Sequence, residues 1–237
     1  HRDLHSFPTR RSSDLILYNI AITLIIPFLL FYSLFHPSIR PNSAKAYFNR
    51  WGFLLPKSKR KDKSIWIHAV STGEMAAIVP LVEEINKELS YKIFVSTTTN
   101  AGNIIAESKL SSISTIFNFP FDYFYAWILF FLRFRPSVLA LVEIEIWPNL
   151  LIIAKLFRIP VILINGRLGD KEYKGYKNTK FFFKNLLKCY DKFLMQSEFD
   201  LQRIIDIGAI PEKAMNSGNI KFDLTCGNIE SKVLDKN

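Results

Sequence analysis

The chain has 237 residues, 49% of them hydrophobic, and a formal net charge of +10 at pH 7. This length allows one large domain or two small ones, each with a buried core. The two cysteines, Cys189 and Cys226, are far apart and lie in neither a CxxC motif nor a Cys/His cluster, which excludes a disulfide framework and a zinc site as the basis of the fold.

The N-terminal part of the chain contains a long apolar segment. Residues 1–14 are polar and without periodicity, resemble translated adapter sequence, and are interpreted as a non-native leader outside the fold. Residues 15–35 carry no charge, and a helix of this length rises about 1.5 Å per residue, enough to span a bilayer. The segment predicts a transmembrane anchor, with a signal peptide or a buried core helix as the alternatives.

A basic segment follows the predicted anchor. Residues 36–63 include eight basic side chains and one acid, Asp62. The positive-inside rule therefore predicts a single-pass protein whose remaining chain lies in the cytoplasm. The same cations could contact anionic lipid headgroups, or the segment could be a solvated linker.

Short apolar strands alternate with helical patterns through the rest of the chain. Strands are predicted at 65–70, 92–97, 114–119, 137–142, 160–165 and 192–196, and helices at 74–89, 102–110, 121–134, 148–157, in a long stretch ending at 189, and at 198–207. This alternation is typical of a parallel sheet covered on both faces. It predicts an α/β fold, a Rossmann-like open parallel sheet over residues 64–225, with 226–237 as a truncated linker.

In such sheets ligands bind at the carboxyl ends of the strands, so the turn after the first strand is the first candidate site. It contains Ser71, Thr72, Gly73 and Glu74. Small residues let a ligand approach the backbone, and the N–H groups of the following helix can bind an anion. Glu74 is either a functional carboxylate in the cleft or an acid favoured by the helix dipole.

The turns after the later strands also carry polar residues: Thr97, Thr98 and Thr99; Glu143 and Glu145; Asn165 and Arg167; and Lys221. The threonines suit a phosphate or a sugar, although hydroxyl-rich turns are also ordinary helix caps. Glu143 and Glu145 are expected on one side of an extended backbone, facing the cleft or a basic partner. Arg167 is expected to bind a phosphate or carboxylate, or to pair with one of these two acids.

Two further features have simple structural interpretations. His68, within the first strand, is predicted to be a core or edge histidine with its polar atoms satisfied. The aromatic stretch 119–134 predicts a buried helix, and contact with a membrane surface is the alternative.

Six segments in order, WIHAVSTGE, STTTNAG, EIEIWPNL, ILINGRL, QSEFD and GNIKFD, resemble the 3-deoxy-D-manno-octulosonic acid (Kdo) transferases of lipopolysaccharide synthesis. The resemblance covers about residues 15–225. It implies an inverting, metal-independent glycosyltransferase of the two-domain GT-B type, without a cofactor, at the cytoplasmic face of the inner membrane. Such an enzyme transfers Kdo from the donor CMP-Kdo to a lipid A precursor.

The resemblance also assigns roles to residues of this chain. It implies that Glu74 is the catalytic base and that the polar residues named above lie in the substrate cleft. It further implies a second domain that binds most of the donor, so we expect this chain to be the acceptor-side half and inactive alone. Another GT-B transferase, a sugar-nucleotide epimerase and a membrane-tethered glycolipid-binding module remain the alternatives, and no nucleic-acid partner is expected.

Overall fold

A computed structural model of the chain describes residues 9–35, 48–53, 55–56 and 63–222. Within these ranges seven strands form one sheet. The strands are β1 Ser64–His68, β2 Lys92–Thr97, β3 Ser114–Asn118, β4 Val138–Val142, β5 Val161–Gly166, β6 Lys192–Met195 and β7 Ala214–Asn216. The helices are α1 Thr9–Phe35, α2 Thr72–Glu88, α3 Asn100–Leu110, α4 Phe124–Phe134, α5 Pro148–Leu156, α6 Asp170–Asn178, α7 Lys180–Leu187 and α8 Glu198–Ile207.

The sheet is parallel throughout, with the strand order β3-β2-β1-β4-β5-β6-β7. The chain adds β2 and β3 on one side of β1 and then returns to place β4 on the other side. The direction of winding therefore reverses between β1 and β4. Open α/β sheets bind ligands at this switch point, so the fold directs attention to the turns that follow these two strands. The predicted α/β fold is confirmed.

The core lies on both faces of the sheet because successive side chains of a strand point in opposite directions. Trp66 belongs to a cluster with Phe94 and with the buried aromatic side chains of α4. Its neighbours Ile65 and Ile67 belong to a second cluster, on the face covered by α2 and α3. The prediction that the aromatic stretch forms a buried helix is confirmed for this face of α4.

Several predicted helix bounds differ from the structure, and the helix predicted at 121–134, for example, begins at Phe124. The predicted helix at 74–89 begins two residues earlier, at Thr72, because Ser71 caps it. The predicted helix at 102–110 likewise begins earlier, at Asn100, with Thr99 as its cap. The long helical stretch ending at 189 is two helices, interrupted at Thr179, whose φ and ψ of −110° and 21° are not helical.

The predicted anchor segment lies within α1. In the part of the chain that the structure describes, no helix combines the length and the apolar character needed to cross a membrane. The transmembrane anchor predicted at 15–35 is therefore not confirmed. Much of the basic segment 36–63 and the whole of the linker 226–237 lie outside the described residues.

One cation of the basic segment differs from its expected solvated or headgroup-binding role. Arg50 is buried, and its Nε atom donates a hydrogen bond of 2.9 Å to the carbonyl oxygen of Phe119. Its guanidinium also lies 4.0 Å from the centre of the Phe121 ring. Arg50 thus packs against the α/β domain, because the apolar stem and planar head of arginine can stack on an aromatic side chain.

Gly102 provides a test of the packing between β2 and α3. A Cβ atom at this position would lie 2.5 Å from Thr97 Oγ1 and 3.0 Å from Thr99 Oγ1. We expect Gly102→Ala to lower the free energy of unfolding by about 1–3 kcal/mol in urea titrations, since overpacking costs this much. The matched control is Gly175→Ala in α6, where nothing lies within 4 Å of the added atom. That substitution should stabilise by about 0.4–1 kcal/mol, and equal effects at both glycines would contradict the packing described.

Candidate active site at the switch point

The turn between β1 and α2 is fixed through the backbone of Val70. The carbonyl oxygen of Val70 accepts hydrogen bonds of 3.0 Å from the hydroxyls of both Thr97 and Thr99. The Val70 N–H donates a bond of 2.8 Å to Glu74 Oε2. Two of the three predicted threonines therefore hold the turn in place, and Thr99 also caps α3 by accepting from the Gly102 N–H.

Glu74 and the N-cap residue Ser71 bond to each other at the start of α2. The Ser71 hydroxyl donates to Glu74 Oε1 at 2.7 Å and accepts from the Glu74 N–H at 3.2 Å. The helix-start interpretation of Glu74 is thus correct as a description of its contacts. A carboxylate has about four acceptor positions, however, so two donated bonds leave it able to accept another proton or hydrogen bond. The capping contacts orient this carboxylate and leave its basic sites in place.

Open space adjoins Gly73, the residue before the buried Glu74. Thr72 and Gly73 are exposed, and no atom lies within 4 Å of the position that a Cβ of Gly73 would occupy. The fold itself therefore does not require glycine here. A residue without a side chain leaves the N-terminal N–H groups of α2 accessible, as binding of an anion or a polar ligand would need.

The carboxylates after β4 have different partners. Glu143 has a φ of 59°, in the left-handed region, so the expectation of an extended backbone is wrong at this residue. Its Oε1 lies 3.4 Å from Lys221 Nζ. Glu145 instead accepts a hydrogen bond from the indole N–H of Trp147, and its backbone carbonyl accepts one of 2.6 Å from the Tyr190 hydroxyl.

Glu145 is a carboxyl group with a strongly altered acidity. Burial raises its pKa to about 7, the Trp147 hydrogen bond opposes that rise, and the charges of Glu74 and Glu143 add to it. The charges of two neighbouring carboxylates at the switch point thus act on the acidity of Glu145. A group with a pKa near 7 can hold or release a proton at neutral pH, which is a property of functional sites.

The turn after β5 connects the site to the last described segment. Asn165 is buried with a φ of 54°, and its Oδ1 accepts a hydrogen bond of 3.1 Å from the Ile220 N–H. This bond places Lys221 next to Glu143. Arg167 is exposed, and within the described ranges it pairs with neither Glu143 nor Glu145, so that part of the prediction is wrong.

His68 lies beneath the site in the core, as predicted, but its Nε2 atom has no hydrogen-bond partner among the described residues, so the prediction that its polar atoms are satisfied is wrong for that atom. Its ring is fully buried, stacks 3.4 Å from the Phe119 ring, and has Nδ1 3.0 Å from the Ser96 carbonyl oxygen. Burial lowers the pKa of His68 to about 3, which keeps the ring neutral. Thr98, the remaining predicted threonine, has a buried hydroxyl without a hydrogen-bond partner among the described residues.

Tyr190 and Trp147 complete the site although neither was predicted to be functional. Trp147 lies inside the EIEIWPN segment. The sequence could have indicated its role, because an indole N–H is a donor and two acids stand beside it. Tyr190 is 45 residues from Glu145, and no local pattern indicates that contact.

Comparison with known proteins identifies relatives of this arrangement. Residues 45–224 match the family described as 3-deoxy-D-manno-octulosonic-acid transferase (kdotransferase). A 3-deoxy-D-manno-octulosonic acid transferase of Rickettsia felis is 34% identical over 67% of this chain and 34% of its own length. The transferase of Chlamydia pneumoniae is 27% identical over 85% of this chain and 46% of its own length. A bifunctional glycosyltransferase/methyltransferase of Fusobacterium nucleatum is 36% identical over 70% of this chain and 26% of its own length.

Solved structures with a similar fold are much more distant in sequence. A UDP-N-acetylglucosamine 2-epimerase has a TM-score of 0.51 and 10% identity, over 67% of this chain and 49% of that one. The UDP-GlcNAc 2-epimerase of Neisseria meningitidis has a TM-score of 0.51 and 12% identity, over 73% of this chain and 51% of that one. At this identity the similarity shows the fold alone. The chain spans less than half the length of each of the three curated relatives named above.

The raised pKa of Glu145 predicts a pH dependence of stability. An acid with a raised pKa in the folded state stabilises that state at low pH, and the contribution is lost as pH rises through the folded pKa. Between the ordinary value of 4.5 and about 7, the unfolding free energy should fall by up to about 3 kcal/mol through this group. Glu145→Gln should remove that slope in urea titrations across this range, and Glu83→Gln on the exposed face of α2 is the control. An unchanged slope in Glu145→Gln would show that this group is not responsible.

Proposed function

We propose, since this chain belongs to the 3-deoxy-D-manno-octulosonic-acid transferase family, that it forms the acceptor-side half of an inverting, metal-independent Kdo transferase. The reaction moves Kdo from CMP-Kdo to a lipid A precursor at the cytoplasmic face of the inner membrane. The observation that carries the proposal is the buried Glu74 carboxylate at the switch point, oriented by two hydrogen bonds and directly preceded in the chain by the exposed residues Thr72 and Gly73.

In the proposed reaction Glu74 acts as the general base. It takes the proton from an acceptor hydroxyl while that oxygen forms a bond to the anomeric carbon of Kdo. The bond between the anomeric carbon and the phosphate oxygen of CMP breaks at the same time, and CMP leaves with the electron pair. Ser71 and the Val70 N–H hold the carboxylate in one orientation, which favours a productive geometry of base and acceptor.

Exposed cations at the cleft suit an acceptor that carries phosphates. Lys221 is partly exposed at the site, and Arg167 follows β5 on the same edge of the sheet. A guanidinium can bind a phosphate with two parallel hydrogen bonds, and an ammonium attracts it as a point charge. The unpartnered Thr98 hydroxyl and the open turn at Thr72 and Gly73 are further candidate substrate contacts.

We assign most donor binding to the part of the relatives' length that this chain does not span. The aligned region covers 34% of the Rickettsia felis transferase and 46% of that of Chlamydia pneumoniae. On this proposal the 237-residue chain alone does not transfer Kdo. Transfer measured with the isolated chain would refute this assignment.

Glu74→Gln in the full-length protein tests the base directly. The amide keeps the size and much of the capping contact but cannot take a proton, so transfer from CMP-Kdo should fall by about 10²- to 10⁴-fold. Glu83→Gln, at an exposed position of the same helix, should keep wild-type activity. A mass assay with UDP-sugars beside CMP-Kdo separates this transferase from an epimerase or another GT-B enzyme. Wild-type transfer by Glu74→Gln would exclude Glu74 as the base.

Gly73→Ala tests whether the open space is used by a ligand. The added methyl group meets no protein atom within 4 Å, so the thermal midpoint should stay unchanged or rise slightly. If substrate approaches the turn, KM should rise about tenfold or more while the fold is intact. Gly175→Ala, also free of neighbours, should change neither KM nor kcat. Unaltered kinetics in Gly73→Ala would place the substrate elsewhere.

A further inference from the structure

Two residues at the cleft have a left-handed backbone that helix capping does not explain. Within the described ranges four non-glycine residues have a positive φ. Arg135 and Arg158 follow the helices α4 and α5, where a left-handed residue is a common helix end. Glu143, with a φ of 59°, and Asn165, with a φ of 54°, lie instead at the carboxyl ends of β4 and β5. Such a backbone persists where surrounding contacts hold it, and it is common in functional sites.

Glu143 and Asn165 contact the same segment, the turn of residues 217–222. The register between β4 and β5 makes the two residues neighbours on adjacent strands. Asn165 Oδ1 accepts a hydrogen bond of 3.1 Å from the Ile220 N–H, and Glu143 Oε1 lies 3.4 Å from Lys221 Nζ. One of the two residues therefore binds the backbone of the turn, and the other binds its cation.

Gln196, the residue after β6, holds Asn165 from the other side. Its backbone N–H donates a hydrogen bond of 2.9 Å to the Gly166 carbonyl oxygen, which fixes Gln196 beside the end of β5. Its side chain then donates from Nε2 to the Asn165 carbonyl oxygen at 3.0 Å. Asn165 is thus bonded through its carbonyl to β6 and through its side chain to the turn. The hydrogen bonds from Gln196 to Asn165 and from Ile220 to Asn165 join three segments at the edge of the cleft.

The consequence of these bonds is the position of Lys221. A lysine side chain is long and flexible, and its ion pair with Glu143 is partly exposed, so this pair alone defines the ammonium position weakly. The bond from Asn165 to the adjacent Ile220 fixes the backbone from which the side chain extends. The Lys221 side chain keeps 42% of its exposure, so the ammonium is open to a ligand in the cleft.

We propose that Asn165 and Gln196 are positioning residues, which place Lys221 for contact with a phosphate group of a substrate. The inference rests on the proposed function for the identity of the substrates, and on the hydrogen bonds described above for the positioning. An ammonium attracts a phosphate as a point charge wherever that phosphate is carried. The acceptor and CMP-Kdo both carry one, and the test below separates them.

The first variant is Asn165→Gly in the full-length protein. Glycine adopts a φ of 54° without strain, so this change removes the side-chain contact and leaves the backbone conformation available. KM should rise about tenfold with little change in kcat, which is the size of a weakened hydrogen bond to a charged group. Asn165→Asp keeps an acceptor oxygen for Ile220 and should restore KM to within about twofold of the wild type. The matched control is Arg158→Gly, an exposed residue with a φ of 57° before the amino end of β5, which should leave KM unchanged.

A double-mutant cycle shows whether the positioning residues act through Lys221. Lys221→Ala should raise KM about tenfold or more, and Gln196→Leu should raise it in the same direction as Asn165→Gly. In the Lys221→Ala background neither Asn165→Gly nor Gln196→Leu should add to the effect, because the group they position is gone. If the phosphate belongs to the acceptor, a dephosphorylated acceptor should abolish the differences, and if it belongs to the donor, the KM for CMP-Kdo should rise. Additive effects, or a loss confined to kcat, would overturn the proposal.

Hydrogen exchange provides a readout that does not depend on transfer. The Ile220 amide should exchange slowly in the wild type and in Asn165→Asp, and faster in Asn165→Gly, because only the glycine lacks an acceptor for it. This result in a wild-type protein without Kdo transfer would keep the positioning and reject the proposed function. Equal exchange of this amide in the wild type and Asn165→Gly would reject the positioning itself.

Discussion

The candidate site depends on the satisfied backbone of Val70. Both polar groups of this residue are bonded by side chains, the carbonyl oxygen by Thr97 and Thr99 and the N–H by Glu74. A partly buried peptide group without a partner costs about 1–3 kcal/mol, so these bonds favour one conformation of the turn. That conformation sets the start of α2 and with it the orientation of the Glu74 carboxylate. The hydroxyl-rich turn of Thr97 and Thr99 therefore stabilises the conformation of the site through these hydrogen bonds.

The second constraint is the gathering of negative charge at the switch point. Glu74 and Glu143 lie close enough to Glu145 for their charges to raise its pKa. Lys221 Nζ lies 3.4 Å from Glu143 Oε1. Like charges in a partly buried site favour protonation of one member. Burial raises the pKa of Glu145 to about 7, so near neutral pH this carboxyl group carries less than a full negative charge beside Glu74. A partly protonated Glu145 adds less negative charge to the site in which we propose Glu74 as the base.

The sequence allowed the sheet and its parallel sense to be predicted, because apolar periodicity is a local pattern and the alternation of strands and helices is typical of parallel sheets. The location of the site follows from the general switch-point rule and stays a prediction. It did not allow the backbone of Glu143 to be predicted, since a φ of 59° at a non-glycine residue reflects tertiary contacts. Nor could it show that Arg50 is buried against Phe119 and Phe121, or that Tyr190 bonds to the Glu145 carbonyl. Each of these pairs is separated by tens of residues, and only the folded sheet brings its members together.

Asp122 connects the helix α1 to the site through one buried carboxylate. Its oxygens accept hydrogen bonds from Tyr18, from the Trp127 indole, and from the N–H groups of Asn149 and Leu150 at the start of α5. Burial raises the pKa of Asp122, and these donors oppose that rise. The group that docks α1 is therefore also the group that caps α5, directly after the turn that carries Glu145. A displacement of α1 would remove a donor from this carboxylate and leave its charge less compensated, at a cost that also falls on the first turn of α5. The position of α1 and the start of α5 are in this way joined through Asp122.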